Sequence, residues 1–187
     1  MNPILELLAD NPIIAAVKDD SGLEKALQSE CQVIFLLYGT ILTIDRAVRR
    51  VRDNGKTVFV HIDLIDGLSN REIAVDYLVK LCRPDGIIST RQQQLRRAKS
   101  LGLLTVQRAF MLDSMSMGSL KQQLQNSEPD FIEIMPGIIP RILTRITQET
   151  DIPVIAGGLI EYKQDVMDAI GAGAIAVSTT CQTVWKM

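Results

Sequence analysis

The sequence predicts an α/β fold, a small closed (β/α)8 barrel of the TIM type. Three observations carry that expectation. Eight short apolar, β-branched runs recur at a loose period of about 20–25 residues. Helical patterns alternate with them, and polar residues gather at their carboxyl ends. The runs fall at 13–17, 33–37, 57–62, 86–89, 103–107, 131–135, 154–156 and 174–178. Most are near-continuous apolar runs, as expected of parallel strands covered on both faces. Strict alternation with helices implies right-handed crossovers, and eight repeats are enough to close the sheet. Such barrels usually run from about 200 residues upward. A chain of 187 residues therefore needs short loops and curtailed helices. An open doubly wound sheet is the alternative.

Ser21 with Glu24 and Ser69 with Glu72 have capping-box spacing and mark the starts of the first and third helices. Gly55 and Gly102 stand where the second and fourth helices should stop, each just before a strand. Residues 176–180 follow the eighth strand and should open a last helix.

Composition sets bounds on the rest. Residues 1–187 read as one domain, 47% apolar and 22% charged, ordinary values for a globular chain. No apolar run approaches the ~18–20 residues that span a bilayer. Residues 1–10 have no basic start and carry Glu6 and Asp10, unlike a secretory signal. Cys31, Cys82 and Cys181 are far apart and odd in number, signalling neither a disulfide framework nor a zinc site. A reducing, cytoplasmic setting is expected. Net charge is −2, but its distribution is uneven. Residues 42–108 hold 13 Lys and Arg against 7 Asp and Glu, and the remainder holds 7 against 15. A basic middle on an acidic remainder permits a local anion-binding face.

Ligands of parallel α/β folds bind at the carboxyl ends of the strands. Lys18, the pair His61 and Asp63, Ser89 and Thr90, Gln107 and Arg108, Glu133, Gly157 and Gly158, and Ser178 and Thr179 all fall there. Gly157 and Gly158 let backbone N–H groups approach an anion without Cβ interference. Ser178 and Thr179 offer hydroxyls, and barrels frequently bind phosphate in this pair of loops. The plainer reading is a tight turn and a helix cap. His61 and Asp63, two apart on a strand, should point to one face and could bind hydroxyls or do acid–base chemistry. A lone histidine is also often structural. The spacing of His61, Asp63 and Glu133 specifies no metal. Glu133 inside an apolar strand needs a partner, from Arg108 or Lys18. The segment 110–117, with Met111, Met115 and Met117, is either a flexible lid or apolar packing under a long loop. Arg46, Arg49 and Arg50 on the second helix and Arg91, Arg96 and Arg97 on the fourth form basic faces that could grip RNA phosphates or simply face water.

Stretches 12–18, 58–65 (with His61-Ile62-Asp63-Leu64-Ile65), 85–90, 105–108, 155–160 and 172–180 together resemble the glycerol-3-phosphate-responsive antiterminator family. The resemblance covers nearly the whole chain. It implies a barrel-fold regulator, not an enzyme, with no catalytic residues and no cofactor beyond glycerol 3-phosphate as effector. It implies binding to the leader mRNA of a glycerol-catabolic operon, antitermination, and no membrane. Carried over by position, Gly157, Gly158, Ser178 and Thr179 would hold the phosphate. Lys18, His61, Asp63, Arg108 and Glu133 would line the glycerol end. The arginine helices are assigned to RNA from charge alone, and homo-oligomerisation is left open. Two other readings stand beside this one. The first is an isomerase or lyase acting on a phosphorylated triose or sugar through Lys18, His61, Asp63 and Glu133. The second is a protein-binding regulator without RNA.

Overall fold

The computed structural model describes residues 3–187; Met1 and Asn2, which begin the segment read above as no secretory signal, lie outside the described residues. Eight parallel strands pair in sequence order and the eighth closes on the first. The closed barrel is the architecture the alternating pattern predicts. The strands are β1 (Ile13–Val17), β2 (Val33–Leu36), β3 (Thr57–His61), β4 (Gly86–Ser89), β5 (Leu104–Phe110), β6 (Phe131–Met135), β7 (Val154–Gly157) and β8 (Ala176–Thr179). The helices are α1 (Pro3–Asp10), α2 (Asp20–Leu27), α3 (Ile44–Asp53), α4 (Ile73–Tyr77), α5 (Gln92–Ser100), α6 (Ser114–Ser127), α7 (Pro140–Glu149) and α8 (Lys163–Gly171). Leu78–Cys82 continues α4 as a π turn.

Several boundaries differ from those expected. β3 stops at His61, one residue early, because Ile62–Leu64 turns into a 3-10 helix. β5 runs on to Phe110, held by pairing with β6 as far as Met135, so Arg108 lies inside the strand rather than after it. β8 starts at Ala176 and includes Thr179. The expected last helix is a single 3-10 turn, Val184–Lys186. Ser21 does not cap α2; the Asp19 carboxylate accepts from the Gly22 N–H at 2.6 Å. Ser69 likewise precedes α4 by a loop, its hydroxyl accepting from the Arg71 N–H. Gly55 and Gly102 do end their helices, in the left-handed region that a side chain disfavours.

The core has two parts, separated by the alternation of side chains across each strand. Outward residues pack under the surrounding helices. Inward residues, among them Ile14, Phe35, Phe59, Val106, Phe131 and Ile155, fill the barrel. Phe35 and Phe59 meet edge to face, with ring centroids 5.5 Å apart. Gly86 makes room for this, since a Cβ there would lie 2.3 Å from the Phe59 ring. The sequence pattern did not foresee α1. It sets Ile4 and Leu8 against the inward residues and closes the floor of the barrel. Leu8→Ala is therefore expected to cost about 2–5 kcal/mol, read as a lower urea midpoint at unchanged slope. A loss under about 1 kcal/mol would mean that α1 is not packed as a floor. Among the described residues no helix is long and apolar enough to cross a membrane.

Candidate functional site

Above the apolar filling, the same inward positions turn polar at the carboxyl ends: His61 on β3, Arg108 on β5, Glu133 on β6 and Ser178 on β8. Glu133 is fully buried and takes two donors. The Arg108 Nε donates to its Oε2 at 2.6 Å, and the Ser178 hydroxyl to its Oε1 at 2.7 Å. A buried carboxylate needs such pairing, and of the two partners the sequence offered, Arg108 is the one used. Gly157 leaves the space, because a Cβ there would meet Glu133 Oε1 at 2.6 Å. The two terminal nitrogens of Arg108 make no hydrogen bond among the described residues, so half of its fork remains available.

Arg108 and Glu133 line a cavity of about 520 Å³ together with Gly158, Leu159, Ser178, Thr179 and Thr180. Gly158 and Leu159 both have positive φ, +76° and +63°. Their N–H groups and that of Thr180 make no hydrogen bond among the described residues. An anion seated here would meet backbone N–H groups from both loops and the fork of Arg108, a complementary set for a phosphate. The hydroxyls expected to join in are engaged elsewhere. Ser178 donates to Glu133, and Thr179 donates to the Ile160 carbonyl at 2.5 Å while accepting from the Cys181 N–H. Trp185 Nε1 caps the Thr179 carbonyl at 2.8 Å. Sequence reasoning missed Leu159 and Thr180, whose contribution is backbone and leaves no trace in residue type. It also missed Gly137, whose N–H donates to the Gly157 carbonyl at 2.6 Å and ties the β6–α7 loop to the cradle. The Pro136-Gly137 turn signal was its only mark.

His61 and Asp63 do not share a face. Alternation holds only while the chain is extended, and the 3-10 turn after His61 swings Asp63 outward. There it accepts from the Ser89 hydroxyl and from the Thr90 N–H and hydroxyl, each at 2.8 Å, and pairs with Arg91 at 2.9 Å. Burial works to raise the Asp63 carboxyl, but these hydrogen bonds hold it below its ordinary value. His61 stays inward and buried, and its Nδ1 has no partner among the described residues. Burial first, then the Arg108 cation, push its pKa down to about 4. Lys18 is exposed after β1 and is not part of the cavity wall. Ser89 and Gln107 point outward, to Gln94 and Ser127.

The His61 environment has a measurable pH signature. Its folded pKa lies below the unfolded value of about 6.5, so the unfolded chain takes up a proton first as pH falls. Stability should therefore be unaffected by His61 above about pH 6.5, decline between pH 6.5 and 4, and level off below. The full cost is on the order of 3 kcal/mol. Asp63 acts in a separate, more acidic window, with stability lost only below its unfolded pKa. Urea midpoints across pH 4.5–7.5 should slope for the native chain and flatten for His61→Asn. Equal slopes would overturn the assignment.

The basic helices are largely neutralised. Arg49 pairs with Asp45, Arg50 with Glu24 and Asp20, and Arg97 with Asp76. Arg91 serves Asp63, and Arg96 donates to the Asn126 carbonyl. Arg46 alone of the six is exposed with no side-chain partner among the described residues. The methionine segment is not a free loop. Asp113 and Ser116 form a capping box that starts α6. Met111 is buried, Met117 packs on the core and Met115 is exposed. Among the described residues no three His, Cys, Asp or Glu side chains are grouped to hold a metal.

The family model described as "Glycerol-3-phosphate responsive antiterminator" matches residues 13–185. The uncharacterized protein YgcP of Escherichia coli (strain K12) is 43% identical over 185 residues, which is 99% of this chain and 97% of that protein. A glycerol uptake operon antiterminator regulatory protein from Listeria monocytogenes has a solved structure with a TM-score of 0.91 at 39% identity, over 94% of this chain and 95% of the other. A glycerol uptake operon antiterminator-related protein from Thermotoga maritima superposes with a TM-score of 0.83 at 32% identity, over 94% and 98%.

Proposed function

Because this chain belongs to the glycerol-3-phosphate responsive antiterminator family, we propose that it binds glycerol 3-phosphate at the mouth of its barrel and, so loaded, grips the leader mRNA of a glycerol-catabolic operon. It acts in the cytoplasm as a regulator that favours antitermination. One observation carries the effector half of this reading. Gly158, Leu159 and Thr180, whose N–H groups make no hydrogen bond among the described residues, line one cavity together with Arg108 and its open side. The phosphate sits on those donors. Glu133 lines the same cavity, where the glycerol hydroxyls reach it, and His61 lies outside the cavity wall.

The barrel also serves many enzymes, so turnover has to be tested. Among the described residues no lysine lines the cavity, which disfavours Schiff-base chemistry through Lys18. An effector changes a partner's affinity only as far as it binds two states unequally. Calorimetric titration with glycerol 3-phosphate should give one site per chain. A fluorescein-labelled leader transcript should bind at least 10-fold more tightly when the effector is present. Absence of effector binding, or RNA affinity that ignores the effector, refutes the reading. Conversion of glycerol 3-phosphate during the titration, followed by phosphorus NMR, would move the protein to the enzymes.

A further inference from the structure

Four of the six arginines expected to meet RNA are held in ion pairs and Arg96 bonds a carbonyl, which leaves Arg46 alone open on those helices among the described residues. Two aromatic side chains are exposed among the described residues. Phe110 is 46% exposed and Tyr162 69% exposed. The others are buried or half-buried, with Tyr38 and Tyr77 donating to Asp20 and to the Ile41 carbonyl. Phe110 and Tyr162 flank the same opening. Phe110 ends β5 opposite Met135, which lines the cavity, and Tyr162 lines it from the β7–α8 loop. Arg141 stands at the start of α7, on the loop that follows Met135 and Gly137, and is exposed with no ion pair among the described residues. Lys163 follows Tyr162 but lines a groove with Asp10, Pro12 and Glu30, away from the mouth. Exposed aromatics beside unpaired cations are what unpaired bases and their phosphates bind.

We propose that single-stranded leader RNA docks across the mouth of the barrel, with bases stacked on Phe110 and Tyr162 and a phosphate on Arg141, and not along the basic faces of α3 and α5. This placement rests on the RNA-binding reading above. It supplies the route by which the effector acts. The Gly137 N–H bonds the Gly157 carbonyl at 2.6 Å and the Gly158 carbonyl at 3.2 Å. A Cβ at Gly137 would lie 2.7 Å from the Gly157 nitrogen, so the two loops are in backbone contact. A phosphate that orients the Gly158 peptide thereby fixes the loop leading to Arg141. Effector and RNA share one rim, and coupling needs no distant pathway.

The test measures anisotropy of the labelled leader transcript with effector present, on variants whose fold is checked by circular dichroism. Phe110→Ala and Tyr162→Ala should each weaken binding about 5- to 150-fold, the range for loss of one stacked base, with the salt slope unchanged. Arg141→Ala should flatten the slope of log affinity against log salt by about 0.7. Arg49→Ala/Arg50→Ala should bind as the native chain does. The reverse pattern, with loss in the arginine variant and none in the aromatic ones, overturns the placement while leaving RNA binding intact. A native chain that binds no leader RNA overturns both. The rim is apolar enough to seat a second copy of this chain instead. If light scattering shows a native dimer that Phe110→Ala converts to monomer with RNA affinity unmoved, the surface belongs to that contact and the proposal falls.

Discussion

Glu133→Ala is expected to lower the unfolding free energy by about 3–5 kcal/mol, the largest single-residue effect on stability at this site. The loss comes less from the bond removed than from what is left behind. Arg108 is only 8% exposed, and Glu133 is its ion-pair partner. Without the carboxylate, a cation stays buried with nothing to offset its desolvation, and the Ser178 hydroxyl loses its acceptor. Removing both ends together should restore much of the loss. The double variant Arg108→Met/Glu133→Leu, apolar and similar in volume, should fall within about 2 kcal/mol of the native chain. Urea unfolding followed by the buried Trp185 reports both. A single-variant loss below about 1 kcal/mol would show that water already solvates the pair.

Gly158→Asp should abolish effector binding in practice, weakening glycerol 3-phosphate affinity at least 100-fold, about 2.7 kcal/mol. The position has φ +76°, a conformation that Asp and Asn adopt more readily than other side chains. The added Cβ meets the Met135 Cε at 2.7 Å, the flexible end of a methionine that can move aside. The fold therefore tolerates the change, and the new carboxylate stands where the phosphate binds. Two like charges about 4 Å apart at a protein surface repel by roughly 4 kcal/mol. Gly158→Asn has nearly the same shape without the charge and should stay within about 10-fold of the native affinity. Equal losses for both variants would trace the effect to shape. No loss in Asp would place the phosphate elsewhere.

The strands were legible because a parallel barrel buries both faces, and continuous apolar runs such as 13–17 announce that directly. Glu133 was legible for the same reason. A charge amid apolar neighbours had to be paired, and Arg108 stood one strand away in register. Asp63 was misread because a 3-10 turn interrupts the alternation one residue after His61, and nothing in the residue types marks that turn. The hydroxyls of Ser178 and Thr179 were credited to an anion because their composition fits one, yet neighbours in space had already engaged them. Backbone donors at Leu159 and Thr180 carry no signature in sequence. The arginine helices show the limit of charge counting. Asp45 lies four residues before Arg49 and was visible, whereas Glu24 and Asp76 approach Arg50 and Arg97 only through the fold.

The helix that seals the base of the barrel has a kinetic corollary. With Ile4 and Leu8 as a stopper, the vessel has a single doorway, and a guest must leave by the way it came. A polymer lying across that doorway bars the exit. The small molecule should then dissociate more slowly from the ternary complex than from the binary one, so that arrival is guest first and departure is guest last.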